Sequence, residues 1–112
     1  MTVLRCAADG PLLTTADDAN DLIGEAWGAG ATAVVLPVER LDERFFRLST
    51  GFAGAFIGKF VNYRLVLVVV GDIAAHLERS EALRAFVAEA NRGRQFWFAA
   101  DAAEAETRLA QV

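Results

Sequence analysis

The chain has 112 residues, of which 54% are hydrophobic and 23% are charged. This balance is typical of one folded domain over residues 1–112 and excludes a disordered chain. The formal charge of −4 argues against nucleic-acid binding, which requires a surplus of Lys and Arg. The single cysteine, Cys6, excludes a disulfide framework and a Cys-rich metal site.

The sequence contains no recognisable targeting or membrane segment. Met1 to Pro11 includes Arg5, Cys6 and Asp9 and lacks the apolar core of a signal peptide. The longest clean apolar run, Leu65 to Val70, is far shorter than the roughly 20 residues that span a membrane. We therefore expect a cytoplasmic protein that makes no membrane contact and keeps Cys6 reduced.

The first third of the chain predicts strands on either side of a helix. Thr2 to Ala7 is predicted as a strand, and Leu12 to Thr14 is a candidate for a short second strand. Thr32 to Val38 is a continuous apolar run, typical of a strand that is buried on both faces of a parallel sheet. Between them, Thr15 resembles a helix cap, and apolar residues follow at the spacing of a helix that lies on a sheet: Ala19, Leu22, Ile23, Ala26 and Trp27.

The rest of the chain continues this alternation. Asp42 is expected to cap a short turn through Phe46, and a helix is predicted from about Ser49 to Val61. The strongest strand, Arg64 to Gly71, comes next. The remaining predicted elements are a helical turn over 73–78, a helix that Ser80 caps and that ends at about residue 90, a strand over 95–100, and a helix from Asp101 to about residue 110.

This order of elements predicts the fold class. Strands that alternate with helices indicate right-handed βαβ units. The chain is therefore expected to be a single α/β domain with a four- or five-stranded mixed, mostly parallel sheet and helices packed on it. The pattern leaves room for an antiparallel strand at the start.

Several stretches along the chain resemble one family. They are Asp21–Trp27, Pro37–Asp42 with Phe45 and Phe46, Thr50–Gly54, Lys59–Arg64, Val70–Ile73, Asn91–Gly93 and Trp97–Phe98. Together they are similar to the small bacterial proteins grouped as domain of unknown function 4180 (DUF4180), over nearly the whole chain. This resemblance implies no activity.

A weaker resemblance is to the STAS domain of anti-sigma factor antagonists and sulfate transporters. In those domains an Asp-Ser-Ser-Gly stretch opens a helix between two apolar strands. Leu48-Ser49-Thr50-Gly51 occupies the matching place here, with Leu48 instead of the aspartate. The resemblance implies a STAS-like fold and, at Ser49, a residue that accepts phosphate from a partner kinase.

Ser49 and Thr50 are therefore candidate phosphoacceptors. The N-terminus of the predicted helix would favour an added anion, because backbone N–H groups and the helix dipole point toward it. The alternative is that one of these hydroxyl groups simply caps the helix.

The same predicted helix carries Gly51, Gly54 and Gly58 along one face. A glycine inside a helix costs about 1 kcal/mol relative to alanine, so close packing is expected to compensate. That packing is either within the core or at a homodimer interface that includes Gly54 and Gly58. Phe45 and Phe46 are adjacent and cannot easily both point inward, so one of them is expected to join an exposed apolar patch at such an interface.

Polar residues follow the predicted carboxyl ends of the strands, where open α/β sheets bind ligands. Glu39, Arg40 and Asp72 lie there. His76, the only histidine, follows Asp72 by four residues and is a candidate general base of the same site. The alternatives are that these residues cap helices and face water, and that His76 is a surface or hydrogen-bonded helix residue. Asp101 is expected to be a helix cap.

The sequence supports two functions. The first is a non-catalytic interaction or regulatory module that binds a protein partner or forms a homodimer. The second is a small-ligand-binding protein or an enzyme with its site at Glu39, Arg40, Asp72 and His76. We find no catalytic constellation and expect no cofactor and no metal ion. A pocket that holds those polar groups would favour the second function.

Overall fold

A sheet of four strands lies at the centre of the fold. The computed structural model describes residues 1–111, and none of the helices in this range is long and apolar enough to cross a membrane. The strands of this range are β1 (Val3–Arg5), β2 (Ala33–Pro37), β3 (Val66–Val70) and β4 (Phe96–Ala99). Its α-helices are α1 (Ala19–Gly28), α2 (Phe52–Asn62), α3 (Ala74–Arg79), α4 (Glu81–Arg92) and α5 (Ala102–Leu109). The predicted α/β class is confirmed.

The strands lie across the sheet in chain order, β1-β2-β3-β4, and every neighbouring pair is parallel. Val34 lies beside Leu67, and Val69 lies beside Phe98. The first strand is parallel to β2 because α1 carries the chain back between them. The sheet of residues 1–111 is therefore fully parallel rather than mixed.

Helices α1, α2 and α4 cover one face of the sheet, with Leu77 of α3 packed beside them, and α5 covers the other face. Parallel crossovers are right-handed, and each of these connections steps in the same direction, so α1, α2 and α4 fall on one face. The larger core lies under them and buries alternate strand residues: Val34, Leu36, Leu67, Val69, Phe96 and Phe98. On the opposite face, α5 packs Ala105 and Leu109 against Val35, Val68 and Trp97.

Charged side chains reinforce the contact of α5 with the sheet. The guanidinium of Arg108 lies 4.4 Å from the centre of the Trp97 ring and donates a hydrogen bond to the carbonyl of Asn91. The Nε of Arg5 in β1 donates to Glu106 at 3.0 Å. This carboxylate lies on α5, so the ion pair joins the helix to the first strand of the sheet.

Two predicted elements differ from the structure. Over Leu12 to Thr14 there is no strand, and only Leu13 forms an isolated bridge, with Leu41. Trp27, expected in the buried stripe of α1, is 64% exposed and packs edge-on against Tyr63. At about 100° per residue, Trp27 lies about 80° around the helix from Ala19, at the margin of the buried stripe.

A long connection of 3₁₀ turns joins β2 to α2 and builds one edge of the molecule. The turns are 38–40, 43–46 and 48–50. Asp42 caps the second turn as predicted, because its Oδ1 accepts the Arg44 N–H at 2.9 Å. Gly51 has a φ of 76°, which separates the third turn from the helix. As a result, α2 begins at Phe52 and not at Ser49, and Ser49 lies in the connection rather than in the helix.

Candidate functional site

A cavity of about 390 Å³ lies between the β2–α2 connection and the chain that follows β3. Residues 43–49 form one wall, and the end of α3 with the start of α4 forms the other. Both walls belong to connections that follow neighbouring parallel strands, and α/β sheets bind ligands beyond the carboxyl ends of such strands. The polar side chains that line the cavity are Glu43, Arg47, Ser49, His76, Arg79 and Ser80.

Two stacked rings line one side of this cavity. The imidazole of His76 lies parallel to the ring of Phe46, with 4.2 Å between the ring centres and an angle of 11° between the planes. Phe46 is buried beneath it and His76 is half-buried. The cavity therefore has a planar imidazole ring, held in place by Phe46, beside its charged groups.

Phe45 and Phe46 are both buried, with 1% and 6% of their surfaces exposed. The prediction that one of them joins an exposed apolar patch is wrong, and neither ring is available to a partner in this conformation. The reason is the 3₁₀ turn, in which successive side chains point about 120° apart. Phe45 can therefore enter the core against Phe52 and Phe56 while Phe46 packs under His76.

The cavity is lined by two arginines and one glutamate, a net formal charge of +1, although the chain is acidic. Arg47 is 3.9 Å from Glu43, and both side chains are well exposed, so this ion pair is weak. Arg79 has no carboxylate within 4.0 Å among residues 1–111. The start of α4 adds the positive end of a helix dipole, with Ser80 as the predicted cap accepting the Leu83 N–H at 3.0 Å.

Four residues were predicted as a ligand site, and the structure gives two of them, Arg40 and Asp72, other roles. Arg40 is only 7% exposed, and it donates hydrogen bonds to the carbonyls of Pro11 at 2.7 Å and Ala7 at 3.0 Å. Its guanidinium thus holds the 7–11 loop, and the ligand role predicted for it is wrong. Asp72 caps α3 by accepting the Ala74 N–H at 2.9 Å.

Glu39 is exposed in the first 3₁₀ turn and does not line the cavity described here. Of the predicted ligand residues, His76 does line it. It shares the cavity with Ser49, a predicted phosphoacceptor, and with Phe46, a predicted interface residue. The structure therefore brings together three residues to which the sequence analysis assigns different roles.

Thr50 is not the N-cap of α2, which is Gly51, but its side chain holds the turn before the helix. Its hydroxyl lies 2.8 Å from the Arg47 carbonyl and 2.9 Å from the Arg44 carbonyl, and it accepts the Phe52 N–H at 3.3 Å. Ser49 is exposed and its side chain makes no hydrogen bond within residues 1–111. Phosphorylation of Ser49 stays a prediction.

Gly54 and Gly58 line a groove of about 400 Å³ between α2 and α4, together with apolar side chains such as Ile57 and Phe86. A Cβ placed on either glycine would have no atom within 4 Å. The expected close packing of these glycines within the chain is therefore wrong. A homodimer interface at Gly54 and Gly58 stays a prediction.

Sequence reasoning missed Arg47 and Arg79 as residues of the cavity. Each arginine precedes a serine of the same cavity, in Arg47-Leu48-Ser49 and Arg79-Ser80. The spacing is two residues in the first case and one in the second, so the sequence contains no common signal for this pair. The contact between the two segments depends on β2 and β3 being neighbours in the sheet, which spacing along the chain does not encode.

The metal-binding residue types are dispersed in the structure. Within residues 1–111, no group of three or more His, Cys, Asp or Glu side chains lies close enough together to hold a metal ion.

Cys6 is a half-buried free thiol, and burial raises its pKa.

Comparison with known proteins gives one match. A family model described as "Domain of unknown function (DUF4180)" matches residues 1–109. No curated protein and no solved structure matches. The likeness to STAS domains therefore stays a prediction. The match covers nearly all of the 112 residues, and the chain belongs to the DUF4180 family.

Proposed function

We propose that this chain is a small-ligand-binding protein whose ligand occupies the cavity between residues 43–49 and the α3–α4 junction. The observation that carries the proposal is that polar groups converge on this cavity from the two connections that follow the neighbouring parallel strands β2 and β3. Its volume of about 390 Å³ lies within the range of sites for small molecules.

The roles of the lining side chains favour binding over catalysis. The hydroxyl of Ser80 caps α4, and the ring of His76 is held flat against Phe46. These contacts fix the walls of the cavity and give a ligand a shaped surface.

The sequence alone favours an interaction module over a small-ligand-binding protein. The main structural support for such a module would be an exposed phenylalanine patch, and both rings in question are buried. A protein partner stays a prediction, as does cytoplasmic location. We place the small-ligand function first because the cavity is a specific feature and the patch is missing from residues 1–111.

Amide chemical shifts of ¹⁵N-labelled protein test the proposal. The probes are benzyl alcohol, benzylamine, benzoate and phenyl phosphate, which share one ring and differ in charge. We expect at least one of them to shift the amides of 46–49 and 76–82 at saturable concentration. Ala82→Trp, which fills the cavity, is expected to abolish these shifts.

Ala88→Trp is the matched control, because Ala88 is exposed on the same helix and lies away from this cavity. The control is expected to bind like the unmodified protein. If none of the four probes shifts the cavity amides, or if Ala82→Trp leaves the shifts unchanged, the cavity is not a ligand site.

A further inference from the structure

We infer that the ligand is a phosphate monoester of a small organic molecule, whose phosphate binds between Arg47, Arg79 and the start of α4. This inference rests on the proposed small-ligand function and adds the chemical class of the ligand. It is carried by the charges of the cavity and by its stacked rings.

The two arginines of the cavity keep their donors available. Arg44 and Arg84, which lie near them in sequence, donate to backbone carbonyls of Thr14 and Leu77. Arg47 and Arg79 donate no hydrogen bond within the described part of the chain, and only the weak 3.9 Å pair with Glu43 competes for Arg47. Two guanidinium groups that line one cavity and lack strong partners favour an anion between them.

The start of α4 supplies further donors on the same side. This helix has 12 residues, and Ser80 takes only the Leu83 N–H. The amides of Glu81 and Ala82 lie in the first turn and have no acceptor within the helix, and Ala82 lines the cavity. The N-terminus of a helix beside two arginines is suited to a phosphate group, which has three terminal oxygens and two negative charges.

The remaining space distinguishes an ester from a free ion. Inorganic phosphate would occupy only the cationic part of a cavity of about 390 Å³. The imidazole of His76, held flat by Phe46 beneath it, offers a planar ring beside the phosphate position, on which an organic group can stack. A phosphate monoester satisfies both parts of the cavity.

Isothermal titration calorimetry at fixed ionic strength tests the inference with four probes: phenyl phosphate, inorganic phosphate, benzoate and benzyl alcohol. We expect phenyl phosphate to bind at least about tenfold more tightly than each of the others. Arg47→Gln and Arg79→Gln are each expected to weaken phenyl phosphate binding by about tenfold or more.

Arg92→Gln is the matched control, because Arg92 is an exposed arginine at the far end of α4 and its loss changes the net charge equally. We expect less than a twofold change there. Unfolding in urea shows whether each variant is folded, which we expect because both cavity arginines are exposed.

The outcomes separate this inference from the proposed function. If benzyl alcohol or benzoate shifts the cavity amides as strongly as phenyl phosphate does, the cavity binds a ligand but the phosphate class is wrong. If inorganic phosphate binds as tightly as phenyl phosphate, the ligand is a free anion and the ester is wrong. If Arg92→Gln weakens binding as much as Arg79→Gln, the effect is general charge and the inference fails. If no probe reaches the cavity, the proposed function itself fails.

Discussion

Replacing Gly54 and Gly58 by alanine is expected to stabilise the protein. Both glycines lie inside α2, where glycine has more backbone freedom to lose on folding than alanine. A Cβ at either position meets no atom within 4 Å, so the substitution introduces no clash. The helix therefore gains the full difference in propensity, and nothing in the packing of the chain opposes that gain.

The magnitude follows from the helix propensities. Alanine is favoured over glycine by about 0.8–1.0 kcal/mol at an interior position, so the double variant is expected to gain about 1.6–2 kcal/mol. Unfolding entropy is about 2.1 cal/mol/K per residue, or roughly 0.24 kcal/mol/K for 112 residues. The melting temperature is then expected to rise by about 7–8 °C in the double variant.

Urea and thermal unfolding followed by circular dichroism measure both quantities. Gly71→Ala is the contrasting control: its φ is 146° and a Cβ there would overlap the Cγ2 of Val38, so this variant is expected to lose stability. If Gly54→Ala and Gly58→Ala lower the stability, the space above them is not open in solution and our reasoning is refuted. Sedimentation of the unmodified protein would then show whether a second copy lies in the groove.

Three further predictions concern single side chains. Arg40→Met is expected to lower the free energy of unfolding by about 2 kcal/mol, measured in urea, because two buried charge-assisted hydrogen bonds to the 7–11 loop are lost; an unchanged midpoint would contradict this. Hydrogen bonds from backbone N–H groups lower the pKa values of Asp18 and Asp42, so their contribution to stability is present above the unfolded-state pKa of about 3.9 and is lost as the pH falls through the folded-state values. Asp18→Asn and Asp42→Asn are each expected to make the free energy of unfolding fall less steeply between about pH 5 and pH 2. A pH dependence equal to that of the unmodified protein would argue against this. Burial raises the pKa of Cys6, so iodoacetamide is expected to alkylate the folded protein at pH 7.5 more slowly than the protein unfolded in urea, and equal rates would refute this.

Local signals in the sequence predicted the regular elements well. The continuous apolar runs gave β2 and β3, and the capping residues Asp42, Ser80 and Asp101 each accept the backbone N–H expected of a cap. These features depend on residues within four positions of one another. Short-range physics is therefore sufficient to predict them.

The errors arise where distant segments meet. The role of Arg40 depends on carbonyls 29 and 33 positions away, and the cavity depends on which strand lies next to which. Adjacent Phe45 and Phe46 are both buried because the turn that carries them packs against α2 on one side and α3 on the other, and a pattern of residue types does not reveal this. The free space beside Gly54 and Gly58 depends likewise on the distance between α2 and α4.

The unequal covering of the sheet has a consequence for synthesis on the ribosome. Translation delivers β1 through β4 and the three large-core helices before α5, so the nascent chain has a nearly complete sheet with one apolar face still open to water. Val35, Val68 and Trp97 stay uncovered until Ala105 and Leu109 have emerged. During that interval, parallel strands with an open apolar face are vulnerable to association with other nascent chains. The short final helix thus closes the fold, and its arrival sets the length of this vulnerable interval.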